Sequence, residues 1–517
     1  MSPRPTRYLF ILCLVCAFLA LPAALPVLTT PFMPLLDYPN HMARMHILLQ
    51  AGQGSPLDAF YRVRWRAVPD LGLDLVVPVL AQVMPLDWAG RCFILLIMGL
   101  MVAGTFAVAR MLHGRITWWP CLSFLFLYDH ILLMGFLNYL IGVGIMLLGF
   151  AAWLGLRSRS PILRIAVGTV FAVALYFAHL FAFGVYGLVV AGYEIQQVWR
   201  ARRGSGIGPG LRHLTIAAAQ FVVPAILLVI FMLILRDHAQ VANPDAGSGV
   251  GFGKFARKFD LIFSVFDDYN RAFDIVSFIV LLLAFIVATW RDWVRISPAM
   301  ALPLWLLAIA YFAMPTSLVT AFALDRRMPV AFALLLIAVS QPVRWRPRVE
   351  VGVATALIVL FVARMALIQV HWLHDSRIYQ PWAEMLDRIP RGAKLALAFP
   401  PNAERMVPGK VPFVHFPLIE VARRDAFVPT LFALPTQQPV ELQPAYRALA
   451  IDTRPERLWG AFVAPASAPT VTLRRQIAQF DYVVFLSTAP FQVKGDAQLE
   501  PAQIDPGFQL FKVRPLP

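Results

Sequence analysis

Hydrophobic segments long enough to cross a membrane are the feature that most constrains the fold of this chain. The hydrocarbon core of a bilayer is about 30 Å thick, and a helix needs roughly 20 apolar residues to cross it. The segments that meet or approach this length are residues 8–28, 91–112, 117–133, 136–156, 162–178, 181–198, 214–235, 273–290, 298–314, 328–343 and 350–370. The sequence therefore predicts an α-helical polytopic membrane protein with about 11 transmembrane helices.

The composition agrees with this fold class. Hydrophobic residues make up 59% of the 517 and charged residues only 14%, whereas soluble domains carry about 25% charged residues. The first apolar segment is too long for the core of a signal peptide, so we interpret it as a helix of the mature protein. Because all four Cys lie inside predicted spans, a disulfide scaffold is excluded from the polar part of the chain.

The chain becomes polar after residue 370, and helical and strand patterns alternate from there. "KLALAF", "DYVVFLS" and "FQLFKV" are typical of strands, while "RIYQPWAEMLDRIP" and "TVTLRRQIAQF" are typical of amphipathic helices. We therefore divide the chain into a transmembrane domain, residues 1–370, and a small α/β domain, residues 371–517.

Arginine is distributed as the positive-inside rule requires. The formal charge is +16, and Arg clusters in the loops "RMLHGR", "RSRSPILR", "RARRGSGIGPGLRH", "RDWVR" and "RWRPR", whereas the turns near Asp129 and His179 carry no Lys or Arg. This pattern indicates membrane orientation rather than nucleic-acid binding. It predicts a bacterial inner-membrane protein with a cytoplasmic N-terminus and a periplasmic C-terminal domain.

The same orientation makes residues 29–90 the first outer loop. Within it, residues 71–84 are apolar but too short to cross the bilayer comfortably, and Pro78 interrupts them. We expect a helix that lies at the membrane interface there.

A polar cluster, "PFMPLLDYPNHMARMH", follows the first span. Asp37 precedes Pro39, which suits the first turn of a helix, so Asp37 is either a helix cap or a general base for an incoming hydroxyl. His41 could orient that hydroxyl, bind a phosphate or bond the backbone, with Asn40 and Arg44 in support. A divalent metal on Asp37 and His41 is a further alternative, and it would need ligands from distant loops.

Four other predicted loops bring polar residues to the same face. Ionisable groups near membrane depth are functional candidates because their burial in lipid is costly. Asp129 and His130 could form a local pair, while Asn138 and His179 could hydrogen-bond between helices. We interpret these four as supporting residues of a site.

Two further segments are candidates for binding a phosphate. "ALDRRMPVAF" places Arg326 and Arg327 at a water boundary, where a guanidinium fork matches a lipid phosphate; alternatively, Asp325 neutralises one Arg and the other reaches to the interface. "GSGVGFGKFARKFD" fits no nucleotide-binding loop. It indicates a basic amphipathic helix with Lys258, which either anchors to lipid or contacts a lipid phosphate.

The combination resembles the GT-C superfamily of membrane glycosyltransferases. The shared features are an acidic residue at the start of a long first outer loop, an interfacial helix, Arg91 opening span two in "WAGRCFILL", the "DRRMP" element and a terminal α/β domain. Within the superfamily, the chain is most similar to bacterial relatives of the protein mannosyltransferase and aminoarabinose transferase branch.

The resemblance implies a polyprenyl-phosphate sugar as donor and inverting transfer to an acceptor outside the membrane. It assigns the general base to Asp37 and the donor phosphate to Arg326 or Arg327, and it matches Arg91 to the Arg that heads span two. Many members carry a second acidic residue close to the first, whereas Tyr38, Pro39 and Asn40 follow here. The metal requirement and the acceptor, which could be a lipid, a glycan or a protein, therefore stay open.

Three other functions are compatible with the sequence. A polysaccharide polymerase or ligase uses similar chemistry and often an Arg-rich outer loop, for which residues 236–271 qualify. A transporter would carry polar residues at mid-membrane depth and related halves, and neither is evident. A non-catalytic membrane protein that recruits a partner is also compatible, because a fold does not define a function.

Overall fold

The computed structural model describes residues 5–201, 208–238, 250–266, 269–318, 322–343, 345–401, 403, 411–463 and 469–515. Its helices are α1 Pro5–Thr29, α2 Tyr38–Gln50, α3 Gly72–Leu80, α4 Leu86–His113, α5 His130–Leu133, α6 Leu137–Gly155, α7 Pro161–Ala178, α8 Leu180–Ala201, α9 Gly208–Ala219, α10 Val222–His238, α11 Arg257–Ile262, α12 Arg271–Trp290, α13 Ala301–Ala313, α14 Leu324–Val339, α15 Pro347–Leu386, α16 Ile419–Arg424, α17 Pro444–Asp452, α18 Pro455–Phe462 and α19 Val471–Ile477. Its strands are β1 Tyr61–Val63, β2 Val250–Gly251, β3 Val294–Ile296, β4 Ser317–Leu318, β5 Ser340–Pro342, β6 Leu395–Ala398, β7 Val440–Leu442, β8 Tyr482–Leu486, β9 Leu499–Asp505 and β10 Phe508–Val513.

The chain divides into two compact units. The first consists of Met1–Thr29, Ala67–Leu73 and Arg91–Val370, and the second of Thr30–Arg66, Asp74–Gly90 and His371–Pro517. Most of the first outer loop thus belongs to the same unit as the polar C-terminal residues. The sequence, by contrast, predicts that loop as part of the transmembrane domain, residues 1–370.

Six helices of the described residues are long and apolar enough to cross a membrane. They are α1, α4, α6, α7, α12 and α15, and the bent pair Gly210–Ala219 and Val222–Arg236 makes a seventh if the pair forms one span. The chain is therefore a mainly helical, multi-pass membrane protein, as its composition predicts. The exact number of eleven spans stays a prediction.

The predicted span at residues 117–133 is not one α-helix. A 3-10 helix runs over Trp119–Phe126, and the short helix α5 follows it. The interruption has a local cause, because Asp129 is extended and its side chain accepts a hydrogen bond from the backbone N–H of Leu132 at 2.8 Å. Asp129 therefore begins a new helix instead of continuing the old one.

Two buried ion pairs lie in the first unit. Arg364 donates to Asp274 at 3.0 Å, and Arg164 donates to Glu194 at 2.7 Å. All four residues are less than a tenth exposed. Such pairing is what a low-dielectric environment requires, because an unpaired buried charge is strongly destabilising.

The predicted interfacial helix and the first predicted helix of the α/β domain have different bounds in the structure. The former is the nine-residue α3, and turn residues follow it. The latter, "RIYQPWAEMLDRIP", is mostly the end of the 40-residue helix α15 and not a separate helix. Residues 371–376 contain neither Gly nor Pro, so the last span continues into it without a break.

The C-terminal part of the second unit contains a four-stranded sheet with the order β6-β8-β10-β9. β6 is parallel to β8, with Leu395 opposite Tyr482, and the other neighbours are antiparallel. The three strands that the hydrophobic patterns predict are adjacent in this sheet. The edge strand β9 escaped prediction because its sequence, "LEPAQID", has no hydrophobic run, contains Pro501 and is largely exposed.

Candidate functional site

Asp37 stands at the N-terminus of α2, but its side chain makes no capping hydrogen bond to that helix. The capping interpretation therefore does not explain this residue. Its carboxylate oxygen Oδ1 lies 3.5 Å from Nε2 of His415, and both residues are buried. A carboxylate and an imidazole at this distance can share a proton through a small adjustment.

An aromatic ring packs against both histidines near Asp37. The ring of Phe432 meets the ring of His415 edge-on at 5.1 Å between centroids, and the ring of His41 at 6.4 Å. His41 lies one turn after Asp37 on α2, as the spacing predicts. His41 and His415 therefore pack against the same apolar ring in the second unit, and Asp37 lies beside His415.

The pKa of His415 is lowered to about 4, because burial disfavours the charged imidazolium. At neutral pH the ring is therefore uncharged, with one nitrogen as a donor and the other as an acceptor. Its Nδ1 is buried and makes no hydrogen bond among the described residues. A neutral His415 can donate to Asp37 and still leave an acceptor nitrogen for a hydroxyl group.

The other polar residues of α2 hold the surrounding backbone and helix in place. Asn40 accepts a hydrogen bond from the N–H of Phe432 at 2.8 Å and donates to the carbonyl of Thr430 at 3.3 Å. Arg44 is fully buried and forms a bidentate pair with Asp74, at 2.7 and 2.9 Å. The role of Asn40 and Arg44 in supporting a site stays a prediction.

Arg326 and Arg327 open helix α14 in the first unit, and each donates to a histidine. The guanidinium Nη1 of Arg326 lies 2.7 Å from Nε2 of His130, and that of Arg327 lies 2.6 Å from Nε2 of His179. Because Arg can only donate, each Nε2 must be the acceptor and its ring must be neutral. Each of these contacts orients a positive charge without neutralising it.

Further contacts fix the position of Arg327. Its second terminal nitrogen donates to the carbonyl of Phe322 at 3.1 Å, and its guanidinium lies 4.6 Å from the ring centre of Phe136. Its own carbonyl accepts a hydrogen bond from the hydroxyl of Tyr139 at 2.6 Å. The basic end of α14 is thus held by side chains from α6 and from the α7–α8 turn.

Lys258 and Asp325 form a buried polar group. The ammonium of Lys258 donates to the carbonyls of Tyr311 and Met314, at 3.0 and 2.6 Å, and lies 3.7 Å from Asp325. These three partners match the three N–H groups of a lysine. Residues 247–249, which begin the glycine-rich segment before Lys258, lie outside the described residues.

Three other predicted residues are bound to nearby backbone. Asp129 caps α5, as described above. Asn138 accepts from the N–H of Leu73 at 2.7 Å and donates to the carbonyl of Asp70. Arg91 donates to the carbonyl of Val27 in the last turn of α1, where a cation also interacts favourably with the helix dipole.

No group of three or more His, Cys, Asp or Glu that could hold a metal ion occurs among the residues that the structure describes. The predicted metal ligands Asp37 and His41 thus fall short of the four ligands of an ordinary zinc site. We therefore derive no chemical step through a metal.

Sequence reasoning missed His415 and Asp70. His415 lies in "VPFVHFPLIE", which has no pattern that distinguishes a functional histidine. The carboxylate of Asp70 lies 3.7 Å from His179, and Asp70 adopts a positive φ of 68°. A non-glycine residue in that region is uncommon, but only the fold reveals the conformation.

The fold of this chain is similar to that of a solved membrane protein. Two crystal structures of ArnT from Cupriavidus metallidurans are similar to this chain, one in the apo state with a TM-score of 0.57 and one bound to undecaprenyl phosphate with a TM-score of 0.55. In both, the sequences are 13% identical and the similarity covers 98% of each chain. No protein-family model matches the sequence, and no curated protein does so.

ArnT is an aminoarabinose transferase of the GT-C superfamily. The resemblance that the short sequence motifs indicated is therefore confirmed at the level of the fold.

Proposed function

We propose that this protein is a membrane glycosyltransferase that moves a sugar from a polyprenyl-phosphate donor to an acceptor at the periplasmic face of the inner membrane. The proposal rests on a fold shared with ArnT along nearly the whole chain, including a structure of that protein with bound undecaprenyl phosphate. The observation that carries it furthest is the pair Arg326 and Arg327, which neutral histidines orient.

The two guanidinium groups are suited to a lipid phosphate. A phosphate leaving group gains negative charge as the bond to the sugar breaks, and pre-oriented cations stabilise that charge without reorganising. Arg also matches phosphate oxygens with a planar fork of donors. We assign the phosphate contact to Arg326 and Arg327, and we assign supporting positions to Lys258 and Arg91 because backbone carbonyls already bind both.

Asp37 is the base in this proposal. The acceptor hydroxyl gives its proton to the Asp37 carboxylate while its oxygen bonds to the anomeric carbon, and the bond from that carbon to the phosphate oxygen breaks on the opposite side. The electron pair of the broken bond leaves with the polyprenyl phosphate, so the configuration inverts. His415 and His41 would hold the carboxylate and the hydroxyl in position.

Native mass spectrometry with a panel of polyprenyl-phosphate sugars tests the proposal. The purified wild type and Asp37→Asn should retain the same donor, because the base does not bind the phosphate. An Arg326→Ala/Arg327→Ala variant should lose it. The matched control is Arg295→Ala, which removes an exposed Arg paired with Asp292 and should leave donor binding unchanged.

Absence of any bound donor in folded wild-type protein would contradict the proposal. If the double Arg variant retains as much donor as the wild type, residues other than Arg326 and Arg327 contact the phosphate. Transfer activity should fall in Asp37→Asn even though the donor stays bound, which separates binding from chemistry. General-base removal typically costs about 10²–10⁴-fold in rate.

A further inference from the structure

An apolar groove runs between α8, α9 and α10 in the first unit. Its volume is about 470 Å³, which is within the range of ligand pockets, about 300–1,000 Å³. Every residue that lines it is apolar, including Phe183 and Ile195 from α8, Leu214 from α9 and Leu228 from α10. The groove is separate from the residues assigned above to phosphate binding and catalysis.

Small residues and a bend in the helices create the space. On α8, Gly184, Gly187, Ala191 and Ile195 follow one another at spacings of three and four, so they lie on one helix face. A Cβ atom added to Gly184 or Gly187 would meet nothing within 4 Å. Opposite this face, the α9–α10 pair bends by 47°, which keeps the two helices from closing the gap.

The surroundings of the groove are those of a lipid-facing surface. The bent pair is one of the candidate spans, and α10 exposes the large apolar side chains of Val222, Ile226 and Val229 beside the groove. In a membrane the solvent at this surface is hydrocarbon. The chemistry of the lining therefore fits an acyl chain and not a polar ligand.

One end of the groove is basic. The helix face that carries the groove continues from Ile195 to Trp199, whose side chain is exposed and suited to the lipid head-group region. Arg200 follows it, and Arg212 lies in the first part of α9.

We propose that this groove binds an acyl chain of an anionic phospholipid, with the phosphate toward Arg200 and Arg212. Hydrophobic burial would supply the binding of the chain, and the arginines would select a negatively charged head group. The site does not depend on the glycosyl-transfer proposal, because its residues are distinct and no donor sugar is involved.

Filling the groove tests the proposal directly. The variant Gly184→Leu/Gly187→Leu places side chains in the open space, and the matched control Gly99→Leu adds the same side chain at another helical glycine whose Cβ would also meet nothing within 4 Å. Each full-length protein is equilibrated with vesicles of phosphatidylglycerol and phosphatidylcholine. Retained lipid is then counted by native mass spectrometry.

We expect wild type and Gly99→Leu to retain phosphatidylglycerol in preference to phosphatidylcholine, and the groove-filled variant to lose most of it. Arg200→Gln/Arg212→Gln should reduce the preference by about tenfold, since each basic residue near an anionic lipid contributes appreciably. This second variant keeps the test valid if the groove-filled protein fails to fold.

Three results would overturn the proposal. The first is equal retention of phosphatidylglycerol by wild type and the groove-filled variant. The second is equal retention of the two phospholipids by wild type. The third is loss of a bound polyprenyl phosphate, and not of a phospholipid, from the groove-filled variant. That result would assign the groove to the glycosyl donor.

Discussion

At the scale of single residues, neighbours in the polar segment after the first span have different tasks. Asp37 does not cap its helix and faces His415, whereas Asn40 binds backbone and Arg44 forms a buried ion pair. Residues that are neighbours in sequence therefore lie in at least three different environments in the fold. Of these three residues, Asp37 is the one whose carboxylate lies beside a histidine, as a base requires.

His415 should make stability depend on pH. An unfolded histidine has a pKa of about 6.5, and burial lowers the pKa of folded His415 to about 4. Between these values the unfolded state binds a proton that the folded state does not, so stability is lost as pH falls from about 6.5 to about 4. The loss should reach roughly 3 kcal/mol at the lower end.

Thermal unfolding of the purified protein between pH 4 and pH 7.5 measures this effect. His415→Asn should flatten the pH dependence, while His374→Asn, which removes an exposed histidine, should not. Parallel curves for wild type and His415→Asn would contradict the expected pKa shift.

Removing either Arg44 or Asp74 alone should be more destabilising than removing both. Both side chains are completely buried, so Arg44→Met or Asp74→Leu alone leaves an uncompensated charge and should destabilise the fold by roughly 3–5 kcal/mol. The double variant should recover much of that loss. Denaturant unfolding of the wild type, the two single variants and the double variant measures the coupling. If the losses of stability in the single variants add up to that of the double variant, the two residues are not coupled.

At the scale of elements, the membrane helices position residues through their ends more than through their middles. α14 begins with Asp325, Arg326 and Arg327, α5 begins at His130, and the α7–α8 turn contains His179. Helix ends leave backbone groups unpaired and bring side chains to the edge of the hydrocarbon. For this reason the start of α14, the start of α5 and the α7–α8 turn together form the cluster around Arg326 and Arg327.

The first turns of α4 pack tightly, and this should reverse the usual effect of replacing a helical glycine. A Cβ at Gly90 would collide with the hydroxyl of Tyr38 and lie 2.7 Å from the sulfur of Met42, whereas a Cβ at Gly99 on the same helix would meet open space. Gly→Ala in a helix normally stabilises by up to about 1 kcal/mol.

Gly90→Ala should therefore lower the unfolding temperature, and Gly99→Ala should leave it unchanged or raise it. Both variants are compared with wild type in the same detergent. A stabilised Gly90→Ala protein would show that Tyr38 and Met42 can move aside at little cost.

At the scale of the whole molecule, the Arg-rich loops make a prediction about orientation. The loop between α6 and α7 holds Arg157 and Arg159, so the positive-inside rule assigns it to the cytoplasm. The sheet of the second unit would then lie in the periplasm. All four native cysteines lie at or before residue 121, which leaves the rest of the chain free for single-cysteine labelling.

In a background without native cysteines, Glu500→Cys should react with a membrane-impermeant maleimide in intact spheroplasts. Arg159→Cys should react only after the membrane is permeabilised. Both native side chains are exposed, so accessibility within the protein is comparable. The opposite labelling pattern would invert the orientation and move the proposed chemistry to the cytoplasm.

The sequence by itself determined the class of fold, most helix positions, three strands of the final sheet and the resemblance to GT-C transferases. These features follow from local patterns, because the length and periodicity of apolar runs reflect the membrane and the helix directly. It also selected Arg326, Arg327, His130 and His179 as candidates, although it did not predict which histidine each arginine would contact.

Only the tertiary structure decided which residues meet. His415 lies 378 positions from Asp37, and Phe432 reaches both His41 and His415 through folding of the second unit alone. The bend between α9 and α10 and the groove beside it likewise depend on packing between helices. A single sequence carries no local signal for such contacts, since they arise when distant segments bury their surfaces against each other.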